Sequence, residues 1–259
     1  MLTIIISAYN EEKRIPPTLE SYGNFFLKKE KEKGLKTEIL VVINNSSDNT
    51  LGVVENYCKR LKNIKYLNLI RGGKGFATIE GFKEALKKNS EFIGFVDADM
   101  ATSPEAFYDL YKNIGKAHGI IASRWKKGAK VKRSSGKLVR SKGFNILTRF
   151  LFLFPYEDTQ CGAKLFRKNV AREIVNNLER AEWAFDVNIL YLCKRKKFKI
   201  KEHPTIWEDK DGSKITSIKV PIRMTGGVIR LRLLHSPFRV IIRAYDKFLA
   251  KRIKMHNII

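Results

Sequence analysis

Short, continuously apolar runs alternate with longer amphipathic stretches through the first half of the chain. The runs Leu2–Ser7, Glu38–Ile43, Ile64–Leu69, Phe92–Val96 and Gly119–Ala122 are rich in Ile and Val, which predicts strands covered on both faces. Between them, Thr18–Lys33, Thr50–Leu61, Phe76–Lys88 and Glu105–Ile114 read as helices. Ser103-Pro104 offers an N-cap and a first helical position for the last of these. The alternation predicts a doubly wound α/β domain with a mostly parallel central sheet. Its ligand crevice would lie at the carboxyl ends of the strands.

The pattern changes after Ser123-Arg124. From Lys126 to Lys142 the chain is basic, free of acidic residues, and punctuated by Gly128 and Ser134-Ser135-Gly136, which predicts a mobile loop. Contact with an anion and plain solvation both account for such a charge run. Further on, Gly143–Phe154 and Phe185–Lys194 read as helices, and Lys164–Arg167 and Lys197–His203 as strands. A helix beginning at Ser236-Pro237 has Phe238, Ile241, Ile242, Tyr245, Phe248, Leu249 and Ile253 at helical spacing, with Arg239, Arg243, Lys247 and Lys251 on another face. Such a helix packs its stripe on the domain or lies in an anionic bilayer interface. The expected division is a catalytic domain over residues 1–218 and a basic, amphipathic helical extension over 219–259.

Composition narrows the partners. The formal net charge of the 259 residues is +25, which calls for a polyanionic neighbour: nucleic acid, an anionic membrane, or a phosphorylated substrate. Cys58, Cys161 and Cys193 are widely spaced and form neither a disulfide framework nor a zinc pattern. They suit reduced thiols in the cytoplasm, with Cys161 read as a packed thiol. The histidines His118, His203, His235 and His256 show no ligand spacing. No leader is recognisable at the N-terminus, and no apolar run reaches the roughly 18 residues of a membrane span. The expectation is peripheral attachment to the cytoplasmic face of a membrane, without a transmembrane segment.

Chemistry concentrates after the strands. Asp97-Ala98-Asp99 follows the fourth, and two carboxylates so placed suit a hard divalent cation, whereas a bland reading makes them caps of the next helix. Ser7-Ala8-Tyr9-Asn10-Glu11-Glu12 follows the first strand, Asn44-Asn45-Ser46-Ser47-Asp48-Asn49-Thr50 the second, and Arg71-Gly72-Gly73-Lys74-Gly75 the third. One ligand at the strand ends would touch all four segments.

This ordered set resembles the family-two inverting glycosyltransferases of the GT-A fold, which use nucleotide-diphosphate sugars. Asp158-Thr159-Gln160-Cys161-Gly162-Ala163-Lys164-Leu165-Phe166 narrows the resemblance to the dolichyl-phosphate glucosyltransferase branch, near the dolichyl-phosphate mannose synthases. Trp183-Ala184-Phe185-Asp186-Val187, Trp207-Glu208-Asp209 and Gly212-Ser213-Lys214 support it. The resemblance implies transfer of a hexose, glucose first, from a donor of the UDP-glucose or GDP-mannose type to a polyprenyl or dolichyl phosphate. It implies that Ala8, Tyr9, Asn10 and Glu11 border the nucleotide, Asn44 lies near the base, and Asp48 supports its loop. Asp97 would approach the ribose and diphosphate, and Asp99, with Asp97, would hold Mg²⁺ or Mn²⁺. Lys74 is a phosphate contact or a solvated turn lysine. Asp158, Gln160 and Asp186 would lie on the acceptor side, although Asp158 also suits a structural partner for a cation. Arg124, with Arg140 and the basic loop, offers charge for an acceptor phosphate. Trp183 and Trp207 border the sugar or fill the core. The family's second-strand motif opens with two Asp residues, whereas Ile43 and Asn44 stand here.

Two other functions compete. One keeps the donor site and uses a hydroxyl acceptor on a glycan or glycolipid, which requires a base such as Asp186. The other is nucleic-acid binding, prompted by the net charge. No reader module and no aromatic residues interleaved with the basic loop support it, so no nucleic-acid partner is expected.

Overall fold

A computed structural model describes residues 1–132, 135–178, 184–209 and 219–240. Trp183, Gly212–Lys214 and the expected tail helix from residue 241 onward lie outside the described residues. The first half folds in strict alternation: β1 (Leu2–Ala8), α1 (Ile15–Lys33), β2 (Thr37–Asn44), α2 (Thr50–Arg60), β3 (Ile64–Leu69), α3 (Lys74–Lys87), β4 (Phe92–Asp97), α4 (Pro104–Asn113) and β5 (Gly119–Ser123). Helix α1 starts three residues before the expected Thr18, because Pro16 and Pro17 fit the first turn, where no backbone N–H is required. Ser103 caps α4 as expected, its hydroxyl accepting the Ala106 N–H at 3.3 Å.

The second half adds β6 (Lys130–Lys132), α5 (Ser135–Phe152), β7 (Lys164–Arg167), α6 (Lys168–Asn177), α7 (Phe185–Arg195), β8 (Ile200–Pro204), β9 (Ile206–Glu208) and α8 (Lys219–Leu234). The main sheet has the order β3-β2-β1-β4-β7-β5-β8. All its pairings are parallel except those made by β7, which runs antiparallel between β4 and β5. The α/β expectation with a mostly parallel sheet therefore holds. Strand β3 departs from it: as an edge strand it is largely open to solvent, with Lys65, Tyr66 and Asn68 exposed.

The expected loop from Lys126 to Lys142 is corrected. Lys130–Lys132 pairs with Ile206–Glu208 as a second small sheet, and helix begins at Ser135, ahead of the expected Gly143. Tertiary anchors hold this helix. Asn145 Oδ1 accepts the N–H and hydroxyl of Thr159 at 2.9 and 2.8 Å, and the Thr148 and Thr159 hydroxyls meet at 3.1 Å. Helix α8 packs Val228 and Leu231 into a cluster with Phe152, Phe154 and Leu190. Among the described residues, no helix is long and apolar enough to cross a membrane.

Candidate active site

Four loops leave the carboxyl ends of β1, β2, β3 and β4, and each reverses sharply through a residue of positive φ: Asn10 (51°), Asn45 (55°), Gly73 (122°) and Met100 (61°). Asparagine and glycine tolerate this region; a methionine there is strained. The strained residue follows Asp99 directly. The turn is pinned from behind by α1, where the Thr18 hydroxyl donates to the Ala98 carbonyl at 2.7 Å and Tyr22 Oη to the Thr102 carbonyl at 2.8 Å. From another side, the Glu208 N–H of β9 donates to the Ala101 carbonyl at 3.1 Å.

The two carboxylates on this turn have different surroundings. Asp97 Oδ1 accepts Lys74 Nζ at 2.5 Å. Burial opposes its ionisation, yet Lys74, Lys164 and Arg124 together hold it below the usual carboxylate range. Asp99 accepts the Ala101 N–H at 3.1 Å. Burial and then the negative charge of Asp97 push its pKa up. Lys74 is part-exposed; desolvation within the crevice disfavours its charge, but Asp97, Asp186 and Asp99 outweigh it and raise its pKa.

Lys164 lies behind Asp97 and is fully buried. Its ammonium donates to Asp186 Oδ1 at 2.6 Å and to the Cys161 carbonyl at 2.6 Å, and lies 5.5 Å from the Phe95 ring centroid. The sequence signal for this residue is a lone lysine within the apolar run Cys161–Phe166; the expected site does not include it. Gly162, in the same segment, abuts Asp97: a Cβ there would lie 1.9 Å from Asp97 Oδ2.

The β1 and β2 loops are laced together. Glu11 N–H donates to Thr50 Oγ1 at 2.8 Å, and its carboxylate accepts both Arg14 Nε (2.7 Å) and Nη2 (2.6 Å). Asn10 Oδ1 accepts the Ser47 N–H, and Asp48 accepts the N–H groups of Glu12 and Thr50. Tyr9 is exposed at the rim. Asn44 is buried, with its amide donating to the Ala8 carbonyl at 2.9 Å and accepting the Gly73 N–H at 3.2 Å. The amide thus braces the β1 end to the glycine-rich turn. A carboxylate in its place could not donate to Ala8, which gives a physical reason for Asn here.

Asp158 and Arg124 are committed to each other. The fully buried Asp158 carboxylate accepts Arg124 Nε at 2.7 Å and Nη2 at 2.9 Å, and also the N–H groups of Arg124, Gln160 and Cys161. Burial works against its ionisation, but Arg124 and these N–H groups hold its pKa low. Arg124 also lies over Trp207, which belongs to the core. This geometry braces the segment around Gln160 and commits Nε and Nη2 of Arg124 to Asp158. The Gln160 Nε2 and Trp125 Nε1 donors are buried and find no hydrogen-bond partner among the described residues. Burial pushes the Cys161 thiol up to about 11, as befits a packed residue.

The structure thus brings Lys74, Asp97, Asp99, Lys164 and Asp186 into one electrostatic cluster, with the Ala8–Glu11 loop and Arg14 beside it. Among the described residues, no three His, Cys, Asp or Glu side chains form a metal-holding group. The donor chemistry nevertheless fits a hard cation. Asp99 is an oxygen donor whose charge is disfavoured by burial and by Asp97, and a cation would relieve both.

Comparison with known proteins agrees with this arrangement. A family model described as Glycosyl transferase family 2 matches residues 3–175. A dolichyl-phosphate beta-glucosyltransferase of Trichomonas vaginalis is 34% identical over 241 residues, covering 90% of this chain and 73% of that protein. The dolichyl-phosphate beta-glucosyltransferase of Homo sapiens is 30% identical over 254 residues, covering 92% and 78%. Among solved structures, a mannosyltransferase from Pyrobaculum calidifontis in complex with GDP-Man and Mn²⁺ superposes with a TM-score of 0.61 at 14% identity, over 96% of this chain and 70% of that one. Glucosyl-3-phosphoglycerate synthase from Mycobacterium tuberculosis, in complex with UDP, gives 0.63 at 14% identity, over 90% and 79%. These two likenesses concern the fold, and they bear out the GT-A expectation. Because the matched segment runs from β1 into α6 and so includes all four strand-end loops, the chain belongs to glycosyl transferase family 2.

Proposed function

We propose that this chain transfers glucose from a nucleotide-diphosphate sugar to a polyprenyl phosphate, as a protein attached to the cytoplasmic face of a membrane. The observation that carries the reading is the asymmetry of the Asp97-Ala98-Asp99 turn: Asp97 is paired with the Lys74 ammonium at 2.5 Å, whereas Asp99, bonded to the Ala101 N–H, lies where burial and Asp97 disfavour its charge. Asp99, with Asp97 behind it, is the pair to hold Mg²⁺ or Mn²⁺. Such a cation supplies Lewis-acid stabilisation of the departing diphosphate. Lys74 adds a fixed positive charge beside the same phosphates. Ala8, Tyr9, Asn10 and Glu11 border the nucleotide, and Asn44 and Asp48 keep that border in shape. The relatives' names supply the sugar and the lipid.

The acceptor assignment rests on Asp186. A hydroxyl acceptor needs a carboxylate that takes its proton. Asp186 Oδ1 is already taken by the fully buried ammonium of Lys164 at 2.6 Å, so that oxygen is not open to the proton of a hydroxyl. A phosphate monoester, largely dianionic at neutral pH, needs no such base. It needs donors and orientation, and Gln160 Nε2 is a buried donor available for an oxygen. The net charge of +25 suits both a lipid phosphate and an anionic membrane.

The test is a competition between acceptors. Purified protein, UDP-glucose or GDP-mannose, and Mg²⁺ or Mn²⁺ are given polyprenyl phosphate or the dephosphorylated polyprenol. Glycosylation of the phosphate alone, with residual turnover in a folded Asp186→Asn variant, supports the reading. Glycosylation of the alcohol, abolished in that variant, would establish the hydroxyl acceptor instead.

A further inference from the structure

The outward face of α5 is apolar where folding does not call for it. Inward, Asn145 and Thr148 bond to Thr159 and Phe152 enters the core. Outward, Ile146, Phe150 and Leu153 are 58%, 78% and 75% exposed. Their spacing places them in one stripe along the helix.

Leu153 is the most telling of the three. It stands just past the helix end at φ 51°, the left-handed position that glycine or asparagine normally occupies. The end is already capped. Phe154 N–H donates to the Arg149 carbonyl at 3.1 Å, and Lys194 Nζ donates to the Phe152 and Leu153 carbonyls at 2.9 and 2.6 Å. Neither backbone conformation nor core packing therefore accounts for a leucine. Exposed Lys142 and Arg149 flank the stripe, and no acidic residue occurs from Lys126 to Phe154. Helix α8 lies alongside, its Arg232 Nε donating to the Leu151 carbonyl at 2.9 Å, and it exposes Ile229. From Lys219 to the last residue the chain has a single acidic residue, Asp246.

We propose that this stripe is a lipid-docking face. Ile146, Phe150 and Leu153 enter the acyl boundary of an anionic bilayer, while Lys142 and Arg149 meet its headgroups. The opposite side of the same helix holds Thr159, three residues from the glycine that abuts Asp97. Docking would set the headgroups about 10 Å, one helix diameter, from the segment that backs the active site. That purpose rests on the lipid-phosphate reading; the docking itself does not.

The test uses the full chain and vesicles of phosphatidylcholine, with or without phosphatidylglycerol, containing no polyprenyl phosphate. Wild type is expected to float with the anionic vesicles, less so as salt rises. Ile146→Ser and Phe150→Ser should each weaken binding by about tenfold. Leu153→Asn should also weaken binding while raising the melting temperature, because asparagine suits the left-handed position. That opposed movement separates docking from a merely structural role. Vesicle binding unchanged in the triple variant, or absent in wild type, would overturn the proposal. So would a concentration-dependent dimer, without vesicles, that the triple variant abolishes: it would assign the stripe to a second copy. If wild type binds vesicles through these residues but never glycosylates a lipid phosphate, the docking face stands and the acceptor reading fails.

Discussion

Replacing Gly162 by alanine perturbs the active site through one contact. The new Cβ would lie 1.9 Å from Asp97 Oδ2, against an ordinary separation of 3.4 Å or more. The carboxylate must retreat by more than an ångström, and with it the 2.5 Å contact to Lys74. Stability should suffer little. The Lys74–Asp97 pair is part-exposed, with side-chain exposures of 43% and 37%, so it contributes no more than about 1 kcal/mol. That corresponds to a shift of about 2–4 °C in melting temperature. Turnover should suffer far more, since misplacing a reacting group by about 1 Å costs on the order of 10²-fold. The assay is cation-dependent sugar transfer beside a thermal melt. Gly143→Ala serves as control: it lies in α5 with nothing within 4 Å of its Cβ, and alanine should gain up to about 1 kcal/mol there. Wild-type turnover in Gly162→Ala would refute the reasoning, because Asp97 would then not need its observed position. Outright unfolding would refute it too, since the glycine would then serve the fold at large.

Two further substitutions separate brace from chemistry. Asp158→Asn removes a carboxylate that accepts Arg124 in bidentate fashion and leaves the guanidinium buried without a counter-charge, at a cost of about 3–5 kcal/mol. The same pair sets a pH dependence. The folded pKa of Asp158 is depressed, so its contribution is complete above the ordinary carboxylate value of about 4 and is lost as pH falls toward the folded one. Melts across pH should show that acid limb in wild type and a flatter one in Asp158→Asn; parallel profiles would contradict the assignment. Asn44→Asp sets a carboxylate against the Ala8 carbonyl and should lose about 1–3 kcal/mol by denaturant titration, whereas an unchanged midpoint would remove its role as a brace.

What the sequence made legible was whatever is local. Apolar strands ending in Asp97-Ala98-Asp99, in the Asn44–Thr50 loop and in the glycine-rich turn are contiguous patterns, and they fold as read. What escaped depends on partners far along the chain. The pairing of Arg124 with Asp158, 34 residues away, exists only after folding, so the sequence shows the charge of Arg124 without its partner. Asn44 read as a substitute for a base contact, yet its partners come from the loops of two other strands. The basic run before Gly143 read as a loop because its helix is fixed by Asn145 and Thr148 against Thr159. Lys164 reads as one more strand residue, although a lysine amid buried apolar neighbours needs a counter-charge to stay ionised.

In the proposed function, Asp99 supports cation-dependent transfer of a sugar to a lipid phosphate. The most direct measurement is product formation from UDP-glucose and polyprenyl phosphate as Mn²⁺ is titrated, for wild type and Asp99→Asn. Wild type is expected to form a glucosylated lipid phosphate at a rate that saturates with Mn²⁺, and the folded variant to fall at least about 10²-fold below it. Equal turnover in both proteins, or turnover indifferent to the cation, would contradict it.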